Sequence, residues 1–124
     1  MNVVSERTIM LLHYITGVGI LLAGAVHIAT VFLTAPVEAN LTFDEAPFAV
    51  INVYRNLLLA VSLEALLIMV AFHGFNGLRV ILLELYQGRT WEKAVTWILT
   101  VIALILIIYG SRTIILAYQI ANLG

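Results

Sequence analysis

Cysteine is absent from this chain. Disulfides, thiolate metal sites and cysteine-held iron–sulfur clusters are excluded at once. Charge is scarce as well, with six Lys and Arg and seven Asp and Glu in 124 residues. Soluble domains draw about a quarter of their residues from charged types, so this chain cannot coat a water-facing surface. The formal net charge is −1, and there is no basic stripe to neutralise phosphates, which excludes nucleic acid as a partner. Proline occurs twice, as Pro36 and Pro47, both within the stretch APVEANLTFDEAP.

What fills the chain is apolar. Hydrophobic residues make up 63% of it and the mean hydropathy is +1.09. That is the composition of an integral membrane protein, with the lipid bilayer as its solvent. A spanning helix needs about 20 mostly apolar residues, and three segments qualify: about Thr8 to Thr34, about Ile51 to Tyr86 and about Ala94 to Tyr118. The first is too long for a signal-peptide core and has no small-residue cleavage pattern close behind it, so it reads as a retained helix. APVEANLTFDEAP is the loop between the first two spans, and QGRTWEK is a polar turn between the second and third. The expected fold is an all-α, three-helix transmembrane bundle forming a single domain.

Orientation is read from lysine and arginine near the helix ends. Arg7, Arg79, Arg89 and Lys93 fall on one side; Arg55 and Arg112 fall on the other, with Glu38, Asp44 and Glu45. The first side, which includes the N-terminus, is expected to be cytoplasmic.

Ionisable groups inside membrane spans are costly and mark functional candidates. Here they are His13, His27, Glu64, His73 and Arg79, with Glu84 at the cytoplasmic edge. On the second helix, His73, Gly77 and Glu84 share one stripe, since they lie four and then seven residues apart. A glycine one turn from a histidine leaves room for a large flat group, such as a haem, or for a partner helix. On the first helix, His27 follows Thr16, Ala23 and Gly24 on a broadly common face. The two helices run in opposite directions, so His27 lies in the outer half of the bilayer and His73 in the inner half. Their depths differ by roughly 15 Å at ~1.5 Å per residue, and one iron cannot bind both. Each histidine has a plainer reading as a helix–helix hydrogen bonder, and Arg79 and Glu84 as snorkelling groups. Two alternatives therefore stay open on chemistry alone: a cofactor-free membrane anchor, or a proton-coupled transporter subunit in which Glu64 is the coupling carboxylate.

The pattern His73-x-x-x-Gly77-x-Arg79-x-x-x-x-Glu84 resembles the second-helix motif of succinate dehydrogenase membrane-anchor subunits of the cytochrome b type. His13-Tyr14-Ile15-Thr16-Gly17 is similar to that family's first-helix segment, with Tyr14 where the family has arginine and Met10 where ubiquinone-reducing members have serine. The resemblance implies an anchor in a prokaryotic cytoplasmic membrane. It implies one or two haem b groups shared with a second membrane-anchor subunit, beside an iron–sulfur subunit and a flavoprotein subunit. It casts His73 as axial ligand of an inner haem and His27 as ligand of a separate outer one. His13 would meet a haem carboxylate, with Gly77 and Arg79 also at the cofactor. Glu84 and Tyr86 would join the quinone site at the cytoplasmic end, near Ser5, Arg7 and Trp91.

Overall fold

In a computed structural model, residues 4–33 and 54–123 are described. Among them stand three helices and no strand: α1 (Glu6–Leu33), α2 (Leu57–Leu85) and α3 (Arg89–Ala121). All three are long and apolar enough to cross a membrane. At ~1.5 Å per residue they measure roughly 40–50 Å, which exceeds a ~30 Å hydrocarbon core, so they tilt or project beyond it. The inter-span loop 35–47, with Glu38, Asp44 and Glu45, lies outside the described residues, as do residue 34 and residues 51–53 at the expected edges of the first two spans.

Each start has a local cause. Ser5 caps α1: its hydroxyl accepts from the Thr8 amide at 3.3 Å and pairs with the Thr8 hydroxyl at 2.9 Å. Glu6 in the first turn suits the positive end of the helix dipole. Asn56 caps α2, accepting from the Leu58 and Leu59 amides at 2.9 and 3.3 Å. Its extended backbone, φ −80° and ψ 114°, starts this helix at Leu57, later than the expected Ile51. The second connection is tight. Gly88 has φ +147°, a conformation closed to most L-residues, and Trp91 donates its indole N–H to the Leu82 carbonyl at 3.0 Å, one of the orphan acceptors ending α2. α3 therefore begins at Arg89, five residues ahead of the expected Ala94, and runs past Tyr118 to Ala121. The apolar stretch understates this helix because polar residues, Arg89 to Lys93, continue it beyond the apolar run.

α2 packs against both α1 and α3. Small residues sit at the contacts: Gly19 faces Met69 and Gly110 faces Leu67. Among the described residues the buried ones are Ala60, Ala71, Val95, Leu99, Ala121 and one polar residue, Asn76. Large aliphatics point outward instead, including Leu58 at 76% exposed and Leu21 at 72%. This inverts a soluble core. Without a hydrophobic drive between helices in lipid, small residues let backbones approach, and the big side chains meet acyl chains or neighbouring subunits.

Candidate functional site: a histidine pair and the clefts beside it

His13 of α1 and His73 of α2 stack face to face, with ring centroids 3.9 Å apart and planes 11° from parallel. Each ring reaches over the opposite helix. His73 lies over Gly17, where an added Cβ would come within 3.1 Å of His73 Cε1. His13 lies over Gly77, where a Cβ would stand 3.6 Å from His13 Cε1. The expected flat group against Gly77 is thus, within this chain, the imidazole of His13.

The hydrogen bonds fix the rings. His73 Nδ1 lies 3.0 Å from the His13 carbonyl and 3.4 Å from Thr16 Oγ1. The Thr16 hydroxyl donates its own proton to that same carbonyl, at 2.9 Å. Both groups facing Nδ1 are therefore acceptors, and Nδ1 must carry the proton. Nε2 of His73 is left with its lone pair, the state in which an imidazole binds a metal. For His13 the arrangement is opposite. Asn76 Nδ2 stands 3.2 Å from His13 Nδ1; an amide N–H only donates, so Nδ1 accepts and Nε2 holds the proton.

Nearer the Glu6 end, Arg79 ties the three helices together. Its Nε donates to Thr96 Oγ1 at 2.9 Å, and its two terminal nitrogens reach the Glu6 carboxylate at 3.0 and 3.4 Å. Glu92 stands 4.0 Å away, and the arginine side chain is only 13% exposed. A snorkelling residue would be wetter than this. Two clefts meet at this group. One, of about 480 Å³, runs into the membrane span between Phe72, Phe75, Leu99 and Ile107, with Asn76 and Arg79 on its wall. The other, of about 420 Å³, opens at the helix ends and brings Glu84 and Tyr86 together with Glu6, Arg79 and Glu92. Tyr86 also packs edge-on against Trp91, with centroids 5.7 Å apart.

The remaining candidates stand apart. His27 is half-buried and lines a gap of about 10 Å³ with Ser62 and Leu63 of α2. Among the described residues it has no polar partner, and it lies 14 residues beyond His13 on α1, ~21 Å along the axis at ~1.5 Å per residue. Glu64 accepts a short hydrogen bond from the Ser111 hydroxyl across the α2–α3 contact, while its other oxygen is buried without a partner. Ser5, expected near a quinone, spends its hydroxyl on the α1 cap.

Sequence reasoning missed Asn76, Glu6 and Thr96. A signal for the first was present: HYITG and HGFNG are two copies of one pattern, His-x-x-(Thr/Asn)-Gly, at 13–17 and 73–77. In each, the third and fourth residues after the histidine share its face of the helix.

The described residues thus define a membrane-spanning helical bundle whose interior holds a stacked imidazole pair, a buried asparagine and an inter-helix arginine. The comparison with family models makes this particular: residues 5–117 match succinate dehydrogenase/fumarate reductase transmembrane subunits, and the chain belongs to that family. It is accordingly a multi-pass membrane protein and one subunit of an enzyme complex, working beside other succinate dehydrogenase subunits. Searches of curated proteins and of solved structures returned no match.

Proposed function

We propose that this chain anchors a succinate:quinone oxidoreductase in a prokaryotic cytoplasmic membrane, with its N-terminus inside, holds haem b through His73 and helps form the quinone-reduction site. The observation that carries this reading is the His73 ring. Its Nδ1–H is committed to the His13 carbonyl at 3.0 Å, which leaves Nε2 as a lone-pair donor, and backbone anchoring of the distal N–H is the usual support of a metal-bound histidine. Gly17 supplies the seat that a Cβ would fill. The donor set suits haem iron, which takes imidazole nitrogen as a ligand. A second anchor subunit would share in holding the group. His13, with its proton on Nε2, is a donor suited to a haem carboxylate. Haem b, when bound, supplies one-electron storage between the soluble subunits and the membrane.

His27 is the ligand proposed for a separate outer haem. Among the described residues its ring has no backbone anchor like that at His73, so the support there is its depth and the small neighbours on its face.

Reducing a quinone to quinol takes two electrons and two protons. The electrons come from the partner iron–sulfur subunit, fed by succinate oxidation at the flavoprotein. The protons enter at the cleft holding Glu84 and Tyr86, both exposed. There the Glu84 carboxyl passes a proton from water to a quinone oxygen, and the Tyr86 hydroxyl donates a hydrogen bond to a quinone carbonyl. A polar mouth with apolar walls fits a ligand with a polar head and an apolar tail.

The test is haem quantification in the purified complex. His73→Ala should remove at least one haem per complex and its part of the reduced-minus-oxidised spectrum. Full haem content with an unchanged spectrum in that variant would overturn the assignment. His27→Ala should remove a second, spectrally separable haem; a parent complex with a single haem lost only through His73 limits His27 to helix packing.

A further inference from the structure

The two His-x-x-(Thr/Asn)-Gly segments pack against each other as near-equivalents. Each histidine covers the other segment's glycine, and each Nδ1 meets the other segment's fourth residue: His73 Nδ1 meets Thr16, and His13 Nδ1 meets Asn76. One chemical difference breaks the equivalence. Thr16 donates to a backbone carbonyl and so presents an acceptor, whereas Asn76 presents an amide donor. Asn76 is also the one buried polar residue of the described bundle, 8% exposed. Burying an amide in an apolar span is costly unless it is hydrogen-bonded, and its bond is spent on a ring nitrogen that could otherwise have been protonated.

We propose that Asn76 is a positioning residue that holds His13 in the Nε2–H tautomer, making it a hydrogen-bond donor to an anionic group and keeping it from competing with His73 as a metal ligand. The stacked pair then has divided roles: His73 offers a lone pair and His13 offers a proton. The acceptor class for His13 is a carboxylate; on the reading above, it is a haem carboxylate, and the inference rests on that reading only for the acceptor's identity. The tautomer assignment rests on this chain's own hydrogen bonds.

The discriminating variant is Asn76→Thr, which copies the first segment's residue into the second; its hydroxyl, donating to the His73 carbonyl as Thr16 does to that of His13, would present an acceptor where the amide presented a donor. Asn76→Gln is the control: it keeps an amide donor, and the adjacent 480 Å³ cleft has room for the extra methylene. The purified complex, with its histidines labelled with 15N, is read by NMR, and the His13 signals are identified by their loss in His13→Phe. In the parent and in Asn76→Gln, His13 should show an unprotonated Nδ1 and a protonated Nε2; in Asn76→Thr the two should exchange. A second readout is the haem midpoint potential. With the Nε2–H donor lost, the carboxylate charge is less compensated and the ferric form is favoured, so the potential should fall in Asn76→Thr and hold in Asn76→Gln. A protonated Nδ1 in the parent, or parental His13 signals in an Asn76→Thr complex that assembles, overturns the proposal. A parent complex without haem would instead remove the proposed function and leave the NMR result to decide the tautomer. Should Asn76→Thr not assemble, Asn76→Leu, which removes the donor without adding an acceptor, is expected to give His13 signals from a mixture of tautomers, and the single parental tautomer there refutes the role.

Discussion

Gly17→Ala isolates the seat of His73 with one methyl group. Two terms oppose each other. Replacing a mid-helix glycine with alanine favours the helix by about 1 kcal/mol. Against this, the new Cβ would stand 3.1 Å from His73 Cε1, closer than ordinary contact. The ring has little freedom to give: its Nδ1 is held by the His13 carbonyl at 3.0 Å, and its face lies on His13 at 3.9 Å. Overpacking of this kind costs about 1–3 kcal/mol. The net effect should run from near zero to a loss of about 2 kcal/mol. Gly74 has nothing within 4 Å of the added Cβ, so alanine there should gain up to about 1 kcal/mol. The quantity to measure is the difference between Gly17→Ala and this control, by denaturant unfolding of the purified complex with haem content followed in parallel. Gly17→Ala should fall below the control and loosen haem retention. If it stabilises as much as Gly74→Ala and keeps its haem, His73 does not sit on Gly17, and the ring geometry is wrong.

Gly77→Ala should leave assembly unaffected, because its Cβ would make only an ordinary 3.6 Å contact with His13; a loss of haem in an otherwise stable variant, read from the absorption spectrum, is the outcome expected if the porphyrin also rests on that helix face. Arg79→Met should destabilise the complex by about 1–3 kcal/mol, chiefly through the Thr96 bond, since a charge-assisted hydrogen bond is worth that much while Glu6, at 68% exposed, adds little; denaturant midpoints unchanged by the substitution would show that the three-helix tie carries no stability. Glu84→Gln and Tyr86→Phe should assemble with haem and lower succinate–quinone turnover while leaving succinate oxidation by an artificial soluble acceptor at the parental rate; parental quinone turnover in both variants would remove these residues from the quinone site. Glu64→Gln should keep the Ser111 contact and the parental stability, whereas Glu64→Leu strands the hydroxyl and should lower stability by roughly 1–3 kcal/mol in unfolding measurements.

The three spans were legible because hydropathy reports burial in lipid directly, and the polar turn after Tyr86 marked the second connection. Helix ends were less legible. Hydropathy stops where the hydrocarbon stops, but a helix does not, so Arg89–Lys93 continue α3 in spite of their charge. Asn56 sets the start of α2 by capping geometry, which an apolar profile does not register. The second-helix pattern through Glu84 was visible as spacing, and Glu84 and Tyr86 do line one cleft. Arg79 illustrates the limit of reading one helix at a time. Position alone suggests a side chain reaching for water, while its partners Glu6 and Thr96 come from the other two helices and keep it mostly covered.

The histidine pair goes a step further, because its chemistry lies in what each ring is bonded to and not in the identity of the rings. His13 and His73 are the same residue type, both half-buried, in matching five-residue segments. Composition and spacing treat them alike, yet the packed helices do not. The His13 carbonyl and Thr16 place acceptors before one Nδ1, and Asn76 places a donor before the other. Opposite tautomers follow, and with them opposite abilities: one ring can bind a metal through Nε2, the other can only donate there. The residue deciding between them is the asparagine, buried where an amide needs a hydrogen bond and giving that bond to His13 Nδ1.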